Sequence, residues 1–290
     1  MSDLDAELSF VLDLVEACGK RALEYFAAGP DFLHMRNKPL GGGPVTRADT
    51  ELNDTIVAAL AERFPSDAVL AEESDDHEED KWRHAERCWH VDPIDGTREF
   101  ARGNEGWTVQ VGLCIDGVPV LGVVHEPATY RMSWAVDYGA DRIAMHRVGR
   151  GRSTPLRLSH SDMGSVRLIG GNMSPLSRQH AIRKALGVTT DRATAVGSVG
   201  VRMTAVARGD ADVYVQAPGH TKTWDTAAPA VLIRAAGGHV TDVQGAPLTY
   251  RGPKVTHPAG VVASDEALHP RLLKVLAPLV ESWLPDGSAI

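Results

Sequence analysis

Apolar positions near the start of the chain fall at helical spacing. Leu8, Val11, Leu12, Val15, Cys18 and Ala22 recur at three and four, which predicts an amphipathic helix over residues 5–27, ended by Gly29-Pro30. Leu52, Ile56, Ala59, Leu60 and Phe64 repeat the pattern in TRADTELNDTIVAALAERF, so a second helix follows the glycine-rich loop KPLGGGPV at 38–45. Next come the short apolar run AVLA, the acids Glu72 and Glu73, and an acidic tract to Asp80 that reads as a solvated loop. The period then changes to two. WTVQVGLCIDGVPVLGVVHEP, residues 107–127, alternates, is rich in β-branched residues and carries Asp116-Gly117 between its halves, the pattern of a β-hairpin.

A Gly/Arg-rich patch, RVGRGRSTP at 147–155, places a boundary near 155 and divides the chain into 1–155 and 156–290. Beyond it the patterns alternate: VRLIGG strand, SPLSRQHAIRKAL helix, VGSVG turn, VRMTAVARG helix, ADVYVQA strand, WDTAAPAVLIRAAGG helix, GHVTD strand. Strands and helices in alternation predict a layered α/β arrangement. In the last helix of this series Ala228, Val231, Leu232 and Ala235 form the buried stripe, Trp224 anchors the start in the core, and Gly237-Gly238 ends it.

Composition narrows the function classes. With 290 residues, 43% of them hydrophobic, the chain can bury a large core. A formal net charge of -8 leaves no basic footprint for a nucleic acid polymer or an anionic membrane. The acidic start MSDLDAELSF is unlike a secretory signal, and no apolar run reaches the length of a membrane span, so the expected location is cytoplasmic. Cys18, Cys88 and Cys114 lack metal-binding spacing and are expected as reduced core residues.

Candidate chemistry gathers at three carboxylate stations, each where a strand or loop meets a helix: Glu72 after AVLA, Asp92 and Asp95 in HVDPIDGTREF, and Asp225 in TWDTAAP. Taken alone, D-P-x-D-G is ordinary turn punctuation. Taken together, four acids with no His/Cys cluster suit hard divalent cations, two or three Mg²⁺ ions, which would let an acidic chain bind a phosphate ester. Gly96-Thr97 opens a helix and offers backbone N–H groups to an anion. Asp49 reads either as the N-cap of the second helix or as the carboxylate that takes the Thr97 proton. Gly41, Gly42 and Gly43 form either a flexible connector or a loop that closes over the site. Glu73 is expected beside the metal ligands or facing solvent, and His220 is expected at the surface or lining the pocket. The spacing fits neither the calcium loop D-x-[DN]-x-[DN]-G nor the paired acids of a haloacid-dehalogenase-type phosphatase.

Glu72-Glu73-Ser74, Asp92-Pro93-Ile94-Asp95-Gly96-Thr97 and Trp224-Asp225-Thr226-Ala227-Ala228, in this order, resemble the inositol monophosphatase superfamily of Mg²⁺-dependent, lithium-inhibited phosphatases. The resemblance implies a five-layer α/β/α/β/α sugar-phosphatase-like fold, usually dimeric. It further implies metal ligation by Glu72, Asp92, the Ile94 carbonyl, Asp95 and Asp225, with Thr97 and Asp49 activating the attacking water. Arg98-Glu99-Phe100 resembles the 3'(2'),5'-bisphosphate nucleotidase branch, which removes the 3'-phosphate of 3'-phosphoadenosine 5'-phosphate, a by-product of sulfate assimilation. Gly171-Asn172-Met173-Ser174 departs from the S-R-S-H segment common in that branch. The expected substrate contacts are Gly96, Thr97, Asn172, Ser174, Ser198, Asp225 and Arg202, the last holding a second phosphate. Inositol phosphates and histidinol phosphate are the alternative substrates, and a non-catalytic module that binds metal and phosphate is the rival from another class.

Overall fold

The computed structural model describes residues 4–38, 43–74, 81–158, 160–171, 176–219 and 221–283. Helix α1 (Asp5–Ala28) buries Leu8, Val11, Val15, Cys18 and Ala22, the stripe its spacing predicts, and stops at Gly29, whose φ of 88° no helix continues. Pro30 opens the single turn α2 (Pro30–Leu33), and the two-residue strands β1 (Arg36–Asn37) and β2 (Pro44–Val45) pair before helix α3 (Arg47–Arg63). Thr46 caps α3 and Asp49 closes the capping box, so Asp49 lies inside the first turn and not at the N-cap.

Seven strands then build one sheet in chain order: β3 (Ala68–Ala71), β4 (Arg87–Asp95), β5 (Thr108–Ile115), β6 (Val118–Glu126), β7 (Arg131–Tyr138), β8 (Asp141–Val148) and β9 (Thr154–Pro155). Only β3 and β4 run parallel; the rest form a meander. Asp116 and Gly117 both take positive φ, 50° and 76°, as the two-residue hairpin turn between β5 and β6 requires. The short helices α4 (Lys81–His84) and α5 (Thr97–Ala101) flank β4.

A second sheet has the order β11-β10-β12-β14-β13, formed by β10 (Leu168–Gly171), β11 (Ala193–Val196), β12 (Val213–Gln216), β13 (Gly238–Thr241) and β14 (Val261–Asp265). Helix α6 (Leu176–Ala185) links β10 to β11, α7 (Val199–Arg208) links β11 to β12, α8 (Thr223–Ala235) precedes β13, and α9 (His269–Trp283) follows β14. Helix α7 starts two residues before the predicted position, because Ser198 accepts from the Val201 amide and caps it. The reading from sequence left β7, β8, β11, β14 and α9 unassigned.

Among the described residues, the three largest apolar clusters bind five layers together, the middle one spanning both sheets. Helices α1 and α3 cover one face of the first sheet, α7 and α8 fill the space between the sheets, and α6 and α9 cover the outer face of the second. This is the expected α/β/α/β/α arrangement. Sheet faces against α8 explain why its buried set exceeds a stripe: Thr223, Trp224 and every residue from Thr226 to Ile233 are buried. The helix backbone lies directly on the first sheet at Gly122, where a Cβ would sit 2.3 Å from the Ala228 carbonyl oxygen. Cys18, Cys88 and Cys114 are buried free thiols, as expected. No helix among the described residues is long and apolar enough to cross a membrane.

Candidate active site

A local irregularity in β4 aims the first two acids. Residues three apart point to opposite faces of a regular strand. Here β4 pairs Asp92 with Gln110 and next Asp95 with Thr108, three residues of β4 against two of β5. The extra residue makes a bulge at Pro93-Ile94, where proline has no N–H to give the ladder. Both carboxylates therefore reach the same space, and Asp225 from the first turn of α8 joins them, with one oxygen of each residue within 4.8 Å of the others.

Burial and hydrogen bonds hold the three acids differently. Asp95 Oδ2 accepts from Ser198 Oγ at 2.7 Å and the Gly200 amide at 2.5 Å, so the start of α7 clamps the carboxylate. Asp225 Oδ2 accepts from the Lys222 amide at 2.7 Å, while Gln110 Nε2 donates to the Trp224 and Asp225 carbonyls at 3.3 and 3.2 Å. Asp92 Oδ1 is buried without a hydrogen-bond partner. Burial raises the pKa of all three, and the mutual repulsion of the acids raises Asp92 and Asp225 further. An all-oxygen donor set with an orphaned buried carboxylate oxygen fits a hard divalent cation.

Glu72 borders the same cavity but lies outside the convergent trio. Its carboxylate receives the Lys38 ammonium at 2.9 Å, and the same ammonium sits 2.5 Å from Glu73. Glu73 is thus neither solvent-facing nor unpaired; burial, then the charge on Glu72, pushes its pKa up to about 7. Sequence reasoning missed Lys38, Gly200 and Gln110. A glutamine alternating with valines in TVQVGLCI was the one available signal.

Thr97 Oγ1 donates to Asp49 Oδ1 at 2.9 Å and lies 3.2 Å from the Ile94 carbonyl. Asp49 Oδ2 accepts from the Thr46 amide at 2.8 Å and from Thr46 Oγ1 at 2.5 Å. One Asp49 oxygen thus closes the capping box from the N3 position, and the other accepts the Thr97 hydroxyl. Desolvation dominates its electrostatics and pushes the pKa up to about 6. Gly96 takes φ +97°, and a Cβ there would meet the Gly106 carbonyl oxygen at 2.8 Å, so the turn from β4 into α5 requires glycine. Helix α5 has only five residues, too short for a strong dipole at Gly96-Thr97.

The cavity, about 210 Å³, is bordered by Gly43, Glu72, Asp92, Asp95, Gly96, Thr97, Arg98, Gly197 and Asp225, among others. Two expected substrate contacts are occupied elsewhere. Ser198 is fully buried under Asp95 and α7. Arg202 is 4% exposed and its guanidinium donates to the Ser198 carbonyl at 2.9 Å, Gln216 Oε1 at 3.1 Å and the Gly197 carbonyl at 3.2 Å. Asn172, Ser174, His220, Gly41, Gly42 and the 75–80 tract lie outside the described residues. Trp224 is buried with Trp82 and Leu70, as its core reading predicts.

Comparison with known proteins supplies the class. The model of the inositol monophosphatase family matches residues 3–281. The chain belongs to that family of metal-dependent phosphatases, which act on small phosphorylated substrates. It is 33% identical over 250 residues to the 3'(2'),5'-bisphosphate nucleotidase CysQ of Salmonella typhimurium, covering 84% of this chain and 93% of that protein. To a Mycobacterium tuberculosis histidinol-phosphatase it is 32% identical over 232 residues, covering 79% and 83%. A Streptomyces griseus protein named glucose-1-phosphate thymidylyltransferase is 29% identical over 246 residues, covering 84% and 89%. Among solved structures, the Thermotoga maritima IMPase shares the fold with a TM-score of 0.78 at 24% identity, covering 96% and 99% of the chains.

Proposed function

We propose that this chain is a Mg²⁺-dependent phosphomonoesterase that hydrolyses the 3'-phosphate of 3'-phosphoadenosine 5'-phosphate. The observation that carries the chemistry is the convergence of Asp92, Asp95 and Asp225 beside the Thr97–Asp49 hydrogen bond. Similarity to CysQ over most of both chains supports the nucleotide as substrate.

Asp92, Asp95 and Asp225, with Glu72 and the Ile94 carbonyl, would hold the ions. When bound, divalent cations neutralise the ester phosphate and acidify coordinated water. Thr97 Oγ1 orients the attacking water, and Asp49, already its acceptor, takes up the proton that Thr97 relays. Burial suits Asp49 to this role, since a carboxyl poised near neutral pH accepts a proton at little cost. The backbone N–H groups of Gly96 and Thr97 seat the transferred phosphoryl oxygens. Water adds to phosphorus, the bond to the 3'-oxygen breaks, and that oxygen takes up a proton, so adenosine 5'-monophosphate leaves with a free 3'-hydroxyl beside inorganic phosphate.

The second reading, a phosphatase for histidinol phosphate or an inositol phosphate, draws on similarity to the histidinol-phosphatase. Phosphate release measured from 3'-phosphoadenosine 5'-phosphate, inositol 1-phosphate and histidinol phosphate, each with Mg²⁺ and with or without lithium, separates the two. Preference for the nucleotide and inhibition by lithium are expected. Preference for either other ester refutes the nucleotide assignment.

A further inference from the structure

The proposed substrate carries two phosphates, and the cations that Asp92, Asp95 and Asp225 would hold account for one. The other needs a cation, and the cavity restricts the choice. Arg202, the residue expected from sequence to supply it, is buried and directs its guanidinium at the Ser198 and Gly197 carbonyls and the Gln216 side chain. Lys38 is held between Glu72 and Glu73, its ammonium 2.9 and 2.5 Å from their carboxylates. Among the described residues that border the cavity, Arg98 carries the one cationic side chain, against Glu72, Asp92, Asp95, Glu99 and Asp225. It is half-buried and follows Thr97 directly, so it leaves the same turn that faces the reacting phosphate.

Resting on the nucleotide reading of the site, we infer that Arg98 is its specificity residue: the guanidinium receives the second, non-reacting phosphate of a bisphosphate substrate. A planar guanidinium binds phosphate oxygens in a bidentate fork that lysine cannot reproduce. In a cavity so rich in carboxylates, this positive charge also offsets the repulsion a second phosphate would meet. Arg98 therefore acts on the part of the substrate that does not react and discriminates bisphosphates from monophosphates.

The test compares wild type, Arg98→Gln and Arg98→Lys on 3'-phosphoadenosine 5'-phosphate and adenosine 3'-monophosphate, whose reacting phosphates are the same. The ratio of kcat/KM for bisphosphate over monophosphate should fall about 10- to 100-fold in Arg98→Gln, mainly through KM, with partial recovery in Arg98→Lys. An unchanged ratio, whether both activities fall together or neither moves, overturns the inference. If wild type hydrolyses only other esters, the nucleotide reading fails, yet Arg98 is still decided. The bisphosphate is then tested as an inhibitor of whichever ester turns over, beside adenosine monophosphate. Its inhibition constant should rise about tenfold or more relative to that of the monophosphate in Arg98→Gln, and equal changes overturn the inference.

Discussion

Replacing Asp92 by Asn should stabilise the metal-free protein while abolishing its response to Mg²⁺. Asp92 is 1% exposed, its Oδ1 has no hydrogen-bond partner, and oxygens of Asp95 and Asp225 lie within 4.8 Å of it. Two unit charges at 4.8 Å repel by about 3.5 kcal/mol at an effective dielectric constant of about 20. Neutralising Asp92 removes two such pairs, roughly 7 kcal/mol gross. Proton uptake relieves much of this in the wild type, because burial and the neighbouring acids already raise the Asp92 pKa. A net gain of about 2–3 kcal/mol remains, or about 5 °C in Tm for a chain of this size. Differential scanning calorimetry in a chelator at pH 7.5, repeated in excess Mg²⁺, provides the assay. Wild type should melt lower than Asp92→Asn in chelator and rise with Mg²⁺, whereas the variant should not respond. A variant that melts below wild type in chelator, or keeps the Mg²⁺-induced rise, would refute the electrostatic reasoning.

Thr97→Val keeps the side-chain volume but removes the hydroxyl that donates to Asp49. Phosphate release should fall about 100-fold or more, with Tm close to that of wild type; near-normal turnover would show that this pair is structural only. His125 tests pH linkage away from the site. Burial lowers its pKa from 6.5 to about 4, so the unfolded chain takes up a proton before the folded one does. Its contribution to stability is therefore lost as pH falls from about 6.5 towards 4. Between pH 7 and 5, wild type should lose about 2 kcal/mol relative to His125→Gln, measured by urea unfolding at both pH values; parallel pH profiles would refute a buried neutral imidazole.

Local chemistry made much of this protein legible from sequence. The period of α1 and α3, the Asp116-Gly117 hairpin and the strand–helix alternation after residue 160 each depend on neighbours a few residues away. The three acidic motifs were visible for the same reason, because strand-end and helix-start residues are local signals. Tertiary structure decided what they do together. A bulge formed only because β5 pairs with β4 turned Asp92 and Asp95 to one side, against the ordinary alternation of a strand. Asp225 reached them only because α8 packs against the first sheet, with glycine at position 122 allowing the backbones to approach. Lys38 found Glu72 and Glu73 across the fold, and Arg202, charged and expected at the substrate, was instead buried against backbone carbonyls. Periodicity records which face of an element is apolar; which polar groups meet across elements depends on how those faces pack.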